Sequence, residues 1–134
     1  MTLPDPDRRR AHLYGLEAER IASLWLQARF YSVLERRFTI KGGEIDLIVR
    51  RGANVAFVEI KARARIEDAE IAIDDRKVAR ISHAARHWVA RNPWAMDCYL
   101  RGDAVYLAPG RLPRHVEAAF VVTVDLYERG RRKS

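Results

Sequence analysis

Apolar residues recur at a helical period from Ala11 to Ala28, with Leu13, Leu16, Ile21, Leu24, Trp25 and Ala28 on one stripe. Glu17 falls on that stripe, four residues from both Leu13 and Ile21, whereas Glu19 and Arg20 point elsewhere. An acid aimed inward is costly unless it is paired or binds a cation. From Phe30 to Thr39 the residue types change to strand formers (Tyr31, Val33, Phe38), and Lys41-Gly42-Gly43 reads as a turn. Glu44–Arg51 predicts a second strand, with Ile45, Leu47 and Val49 on one face and Glu44, Asp46 and Ile48 on the other. Gly52-Ala53-Asn54 is short enough for an antiparallel hairpin into a third strand, Val55–Ala62. Both faces of that strand are largely apolar, the pattern of a central strand covered on both sides.

Further along, Arg63–Ile73 is a charged connection without a period. Asp74 or Asp75 can cap a helix running to Arg91, with Val78, Ile81, Ala85, Trp88 and Val89 inward and Asn92-Pro93 as its stop. Met96–Leu107 holds one strand, or two broken at Gly102, and His115–Val124 a last one after the Pro109-Gly110 turn. The predicted order is αβββαββ, an α/β fold with a mixed sheet flanked by helices.

Glu59-Ile60-Lys61 concentrates the candidate chemistry. A strand repeats every two residues, so Glu59 and Lys61 share a face, and the preceding strand carries Asp46. Two carboxylates suit Mg²⁺ or Mn²⁺, hard cations that take oxygen ligands and keep several waters. Asp46 and Glu59 are the candidate ligands, the Ile60 carbonyl a third, and Lys61 would act on an attacking water or on phosphate. Glu17 could complete the acidic cluster from the helix. Lys77, near the start of the second long helix, could meet phosphate there with help from the helix dipole. Arg63 and Arg65 follow the Glu-x-Lys strand directly, a place that suits either phosphate contact or plain solvation. His83 and His87 stand four residues apart, a zinc-compatible spacing with no evident third ligand.

Length and composition narrow the reading. At 134 residues with 49% hydrophobic and 32% charged side chains, the chain is expected to form one folded domain over 11–127, between an arm at 1–10 and a basic tail at 128–134. The net charge of +7 is mostly peripheral: residues 1–10 carry +1 and residues 128–134 carry +3. Of 25 basic residues only four are lysine, so the lysine beside Glu59 is noteworthy. The absence of an apolar run near membrane-spanning length, or of a signal-like start, predicts no membrane association. A single cysteine, Cys98, fits a cytoplasmic location.

The blocks Gly15-x-Glu17, Lys41-Gly42-Gly43-Glu44-Ile45-Asp46-Leu47-Ile48 and Phe57-Val58-Glu59-Ile60-Lys61-x-Arg63 resemble the YraN-type uncharacterised bacterial proteins over residues 10–125. That family belongs to the PD-(D/E)XK, restriction-endonuclease-like superfamily and is similar to Holliday-junction resolvases. The resemblance implies a nuclease acting on DNA, with branched or structured forms among the expected substrates, Glu17 as the helical acid, Asp46 as the metal-binding aspartate, Glu59 and Lys61 as the E-x-K pair, and Lys77 at the next helix. Arg101-Gly102-Asp103 aligns with a family Arg-Phe-Asp motif, glycine replacing the aromatic. Three function classes stay open at this stage: a Mg²⁺-dependent endonuclease hydrolysing phosphodiesters in DNA, a non-catalytic nucleic-acid-binding module on the same fold, and a protein-interaction adaptor. A homodimer is compatible with any of them.

Overall fold

The computed structural model describes residues 6–70 and 73–124, with side chains in the first helix from Glu17 onward. Helix α1 runs Pro6–Ala28, so residues 6–10 belong to the helix and not to an extended arm. Proline fits such a start because its missing N–H would have no helical partner there. Strands β1 (Ser32–Ile40), β2 (Gly43–Arg51) and β3 (Asn54–Ala62) follow. A one-turn helix α2 (Ile66–Ala69) interrupts the connection expected to be irregular. Helix α3 (Asp75–Arg91) starts where Asp74 accepts the Lys77 backbone N–H at 2.8 Å, a side-chain cap on the first turn. A 3₁₀ turn (Pro93–Asp97) leads into β4 (Tyr99–Leu107), which is one strand through Gly102, and β5 (Arg114–Phe120) ends four residues before the predicted limit. The basic tail at 128–134 and residues 1–5 of the predicted arm lie outside the described residues.

The five strands form one sheet in the order β1-β2-β3-β4-β5. β3 pairs parallel with β4 and the other pairs are antiparallel, giving the predicted mixed sheet with β3 at its centre. A parallel pair needs a long crossover, which α2 and α3 supply. α1 covers one face, over Leu47, Val49, Ala56, Val58, Val105 and Leu107. α3 covers the other, over Ile45, Ile48, Val55 and Phe57, with Ile81, Ala85, Trp88 and Val89 facing in as predicted. This is an α/β architecture consistent with the restriction-endonuclease type.

Two expectations from periodicity fail for physical reasons. The buried stripe of α1 is Ala18, Ala22 and Leu26, while Ile21 and Leu24 are 37% and 55% exposed. Ala18 and Ala22 let the helix backbone approach the sheet closely while Leu26 fills the space beyond them, which turns Ile21 and Leu24 outward. Leu13 and Leu16 lie where no side chain is described.

The second failure concerns β1 and β2. Arg36 lies opposite Leu47 and faces α1, whereas Phe38 lies opposite Ile45 and packs with the α3 cluster. Strict alternation would keep Ile45 with Leu47 and Val49. Both strands therefore exchange faces at the intervening residues, Arg37 in β1 and Asp46 in β2. Arg37 has a left-handed backbone (φ 49°), uncommon for a side-chain-bearing residue. The registered β2–β3 ladder also stops at Leu47 and Val58, just short of Asp46. Gly43 closes the other side: a Cβ there would meet the Arg80 carbonyl at 2.7 Å and the Ala84 nitrogen at 2.9 Å, so only glycine lets β2 lie against α3.

A candidate metal and phosphate site at the β2–β3 fork

Where the β2–β3 ladder stops, the Asp46 side chain takes over. Its Oδ2 accepts the Ile60 backbone N–H at 2.8 Å, replacing a ladder bond with a side-chain bond. The carboxylate is thereby pinned beside β3 next to Glu59. Burial pushes the Asp46 carboxyl up; the Ile60 N–H and Lys77 pull it down, Glu44 and Glu19 push it up, and the net displacement is upward.

Glu59 is only 6% exposed in the central strand. Burial first, then the neighbouring Asp46 charge, drives its pKa up to about 7, against the opposing pull of Lys77 and Lys61. Lys77, on the first turn of α3, places Nζ 3.5 Å from Glu59 Oε1. Glu59 Oε2 is buried and accepts no hydrogen bond. Lys61 is half-buried and, two residues on from Glu59, lies on the same face of β3.

The fork thus gathers Asp46, Glu59, Lys61, Lys77 and the Ile60 backbone. The remaining candidates stand differently. Glu17 is exposed on α1, because the buried stripe is rotated from the one predicted. Glu19, which periodicity turned away, is instead the helical acid whose charge reaches Asp46. It is held by Arg37, whose Nε lies 2.8 and 2.7 Å from its two oxygens. The signal for Glu19 in the sequence was the small-residue spacing of Ala18 and Ala22 around it. Arg63 donates to the Ala62 carbonyl at 2.7 Å, Arg65 lies 3.7 Å from Glu67, and both are exposed. The His83 and His87 rings stack edge-on, and His83 Nε2 lies 3.1 Å from the Lys41 carbonyl.

Among the described residues no group of three or more His, Cys, Asp or Glu side chains is arranged to hold a metal. The donor set at the fork is two carboxylates and one backbone carbonyl, which suits Mg²⁺ or Mn²⁺ with water completing the shell, and not a zinc cage. The open lone pairs of Glu59 Oε2 and the mutual repulsion of the buried Glu59 and half-buried Asp46 carboxylates are what a bound cation would relieve. The residues present fit such an ion.

A second polar cluster lies on the α1 face and joins Arg101 and Asp103 of the motif block to Tyr31 and His115, partners the sequence did not indicate. Asp103 is fully buried and accepts from Arg101 Nη2 (2.8 Å) and Nε (3.2 Å), lies 2.8 Å from His115 Nε2, and accepts the Ala118 N–H at 3.0 Å. Burial alone would raise its carboxyl, but the His115, Arg101 and Ala118 bonds together hold it below the usual range. Arg101 also donates to the Tyr31 hydroxyl at 2.7 Å, and the Tyr31 and His115 rings meet edge-on. Gly102 lies opposite Phe120, whose ring occupies the space a Cβ would need. The aromatic absent at position 102 is supplied from the partner strand.

Comparison with known proteins agrees with the resemblance in the motif blocks. A family model described as "Uncharacterised protein family UPF0102" matches residues 18–107. A UPF0102 protein of Methylorubrum populi is 55% identical over 121 residues, covering 89% of this chain and 97% of its own. One from Methylorubrum extorquens is 55% identical over 119 residues (89% and 93%), and one from Rhodopseudomonas palustris HaA2 is 47% identical over 117 residues (87% and 91%). With these matches over nearly the whole described fold, the chain belongs to UPF0102, the family of YraN-type proteins.

Proposed function

We propose that this protein is a metal-dependent nuclease that hydrolyses phosphodiester bonds in DNA, with the β2–β3 fork as its active centre. One observation carries the reading: Asp46 and Glu59 stand as a desolvated carboxylate pair, with Lys77 3.5 Å from Glu59 and one Glu59 oxygen unbonded. Such a pair costs stability and is kept where function uses it. Asp46, Glu59 and the Ile60 carbonyl would hold Mg²⁺ or Mn²⁺, which when bound polarises phosphoryl oxygen and makes water a better nucleophile. Lys77 neutralises charge on a phosphate approaching the first turn of α3, where the helix dipole has the same sign. Lys61 orients the attacking water or the phosphate from the same face as Glu59. The Ile60 N–H fixes one Asp46 oxygen, and the other would be the one to bind the ion.

The test is a cleavage assay on single-stranded, duplex, flapped and four-way DNA, with an RNA strand alongside, in Mg²⁺ and Mn²⁺. Asp46→Ala, Glu59→Gln and Lys61→Ala are each expected to lower the rate by roughly 10²-fold or more while the circular dichroism spectrum is unchanged. Cleavage surviving in all three would exclude the fork as the active centre. Because the described acids number only two at the fork, a non-catalytic nucleic-acid-binding module is the second reading. Salt-sensitive binding without product in either metal would select it. Cutting both strands of a duplex calls for two copies, so the proposal includes a homodimer, checked by sedimentation velocity.

A further inference from the structure

Between α1 and β1 runs an open groove of about 400 Å³, lined by Glu19, Arg20, Ser23, Leu24, Gln27 and Arg36. Its charge is unbalanced in a specific way. Glu19 is spent on Arg37, which binds both its oxygens. Gln27 donates to Ser23 at 3.0 Å. Arg20 and Arg36 are exposed and have no ion-pair partner among the described residues.

The backbone explains why two consecutive arginines serve one groove. In a regular strand Arg36 and Arg37 would project to opposite faces. The left-handed backbone at Arg37 breaks this rule, so that both reach the α1 side: Arg37 neutralises the acid and Arg36 is left over. An observed backbone outlier of this kind is a pointer to function, since it must be held in place by its surroundings. Arg36 and Phe38 pair with Leu47 and Ile45, the residues either side of Asp46 in the face exchange, and the charges of Glu19 and Arg37 reach Asp46, so the Glu19 end of the groove lies near Asp46.

We propose that the α1–β1 groove binds the sugar–phosphate backbone of one nucleic-acid strand and leads it to the β2–β3 fork, with Arg20 and Arg36 as the phosphate contacts. The guanidinium fork matches phosphate oxygens, and Leu24, 55% exposed, gives the sugar and base an apolar wall. The inference rests on the nucleic-acid half of the proposed function and not on its cleavage half.

The experiment measures binding of the full chain to a short fluorescent single strand, DNA and RNA in parallel, by anisotropy over a salt series in EDTA. The double variant Arg20→Ala/Arg36→Ala is expected to raise Kd on the order of tenfold near ~0.1 M salt and to reduce the salt slope by about 1.4, roughly 0.7 per lost phosphate contact. Arg91→Ala/Arg111→Ala removes the same charge from exposed sites on the last turn of α3 and the β4–β5 loop, and leaves the slope unchanged. Asp46→Ala still binds. Equal slopes for groove and control variants, no binding by the unaltered protein, or equal competition by polyglutamate would each overturn the groove as a nucleic-acid site. Binding that depends on Arg20 and Arg36 without cleavage in any metal would leave the groove standing and remove the nuclease reading.

Discussion

Glu59 and Asp103 are both acids buried in neighbouring strands, yet their surroundings drive them in opposite directions. Asp103 is surrounded by donors and stays ionised; Glu59 faces another carboxylate and has one oxygen with none. The consequences for stability have opposite signs. Glu59 titrates near 7 in the fold against an ordinary 4.5, so its contribution is fully present below pH 4.5 and is lost as pH rises through about 7. The loss in metal-free protein is on the order of 3 kcal/mol, and Glu59→Gln is expected to flatten it; urea denaturation between pH 4.5 and 8 in EDTA measures both. Asp103 behaves the other way, since its depressed carboxyl contributes stability above its ordinary 3.8 that disappears as pH falls below it. Glu59 and Lys61 were legible as neighbours on one face from the strand period alone. Asp46 was legible as their neighbour, but the bond that fixes it is to the backbone of Ile60, and no side-chain pattern encodes that partner.

The elements differ in how much of their packing the chain announced. α3 carries its inner face as a clean helical stripe with an aspartate cap, and it folds as read. α1 does not, because the stripe that packs is Ala18, Ala22 and Leu26, in which two small residues allow a close approach that a count of large apolar residues does not reveal. That rotation leaves Glu17 exposed and brings the charge of Glu19 within reach of Asp46. The main tie of β4 and β5 was legible only in its motif half: Arg101 and Asp103 form one network with His115 and with Tyr31, which precedes β1. Since Asp103 bonds β4 to β5 and, through Arg101, to Tyr31, Asp103→Ala strands a half-buried guanidinium and the Ala118 N–H. It is expected to cost about 3–5 kcal/mol in chemical denaturation, while Asp97→Ala, on the exposed 3₁₀ turn, changes stability by less than about 0.5 kcal/mol.

For the molecule as a whole, the sheet positions the fork by placing two carboxylates on adjoining central strands under the first turn of α3, and the native fold is the only state in which they meet. A cation that binds them therefore stabilises the fold by mass action. Millimolar Mg²⁺ or Mn²⁺ at pH 8 is expected to raise Tm by several degrees, and Asp46→Ala to abolish the shift, which a thermal melt with and without EDTA would show. Among the described residues no helix is long and apolar enough to cross a membrane. Local alternation and turn chemistry, which depend only on near neighbours, were enough for the element order, the mixed sheet, the buried centre of β3 and the Glu59–Lys61 pair. The rotation of α1, the exchange of faces at Arg37 and Asp46, the Asp103 network and the pairing of Phe120 with Gly102 belong to tertiary structure, because each is settled by which residues distant in the chain can approach closely enough to pack or share a proton.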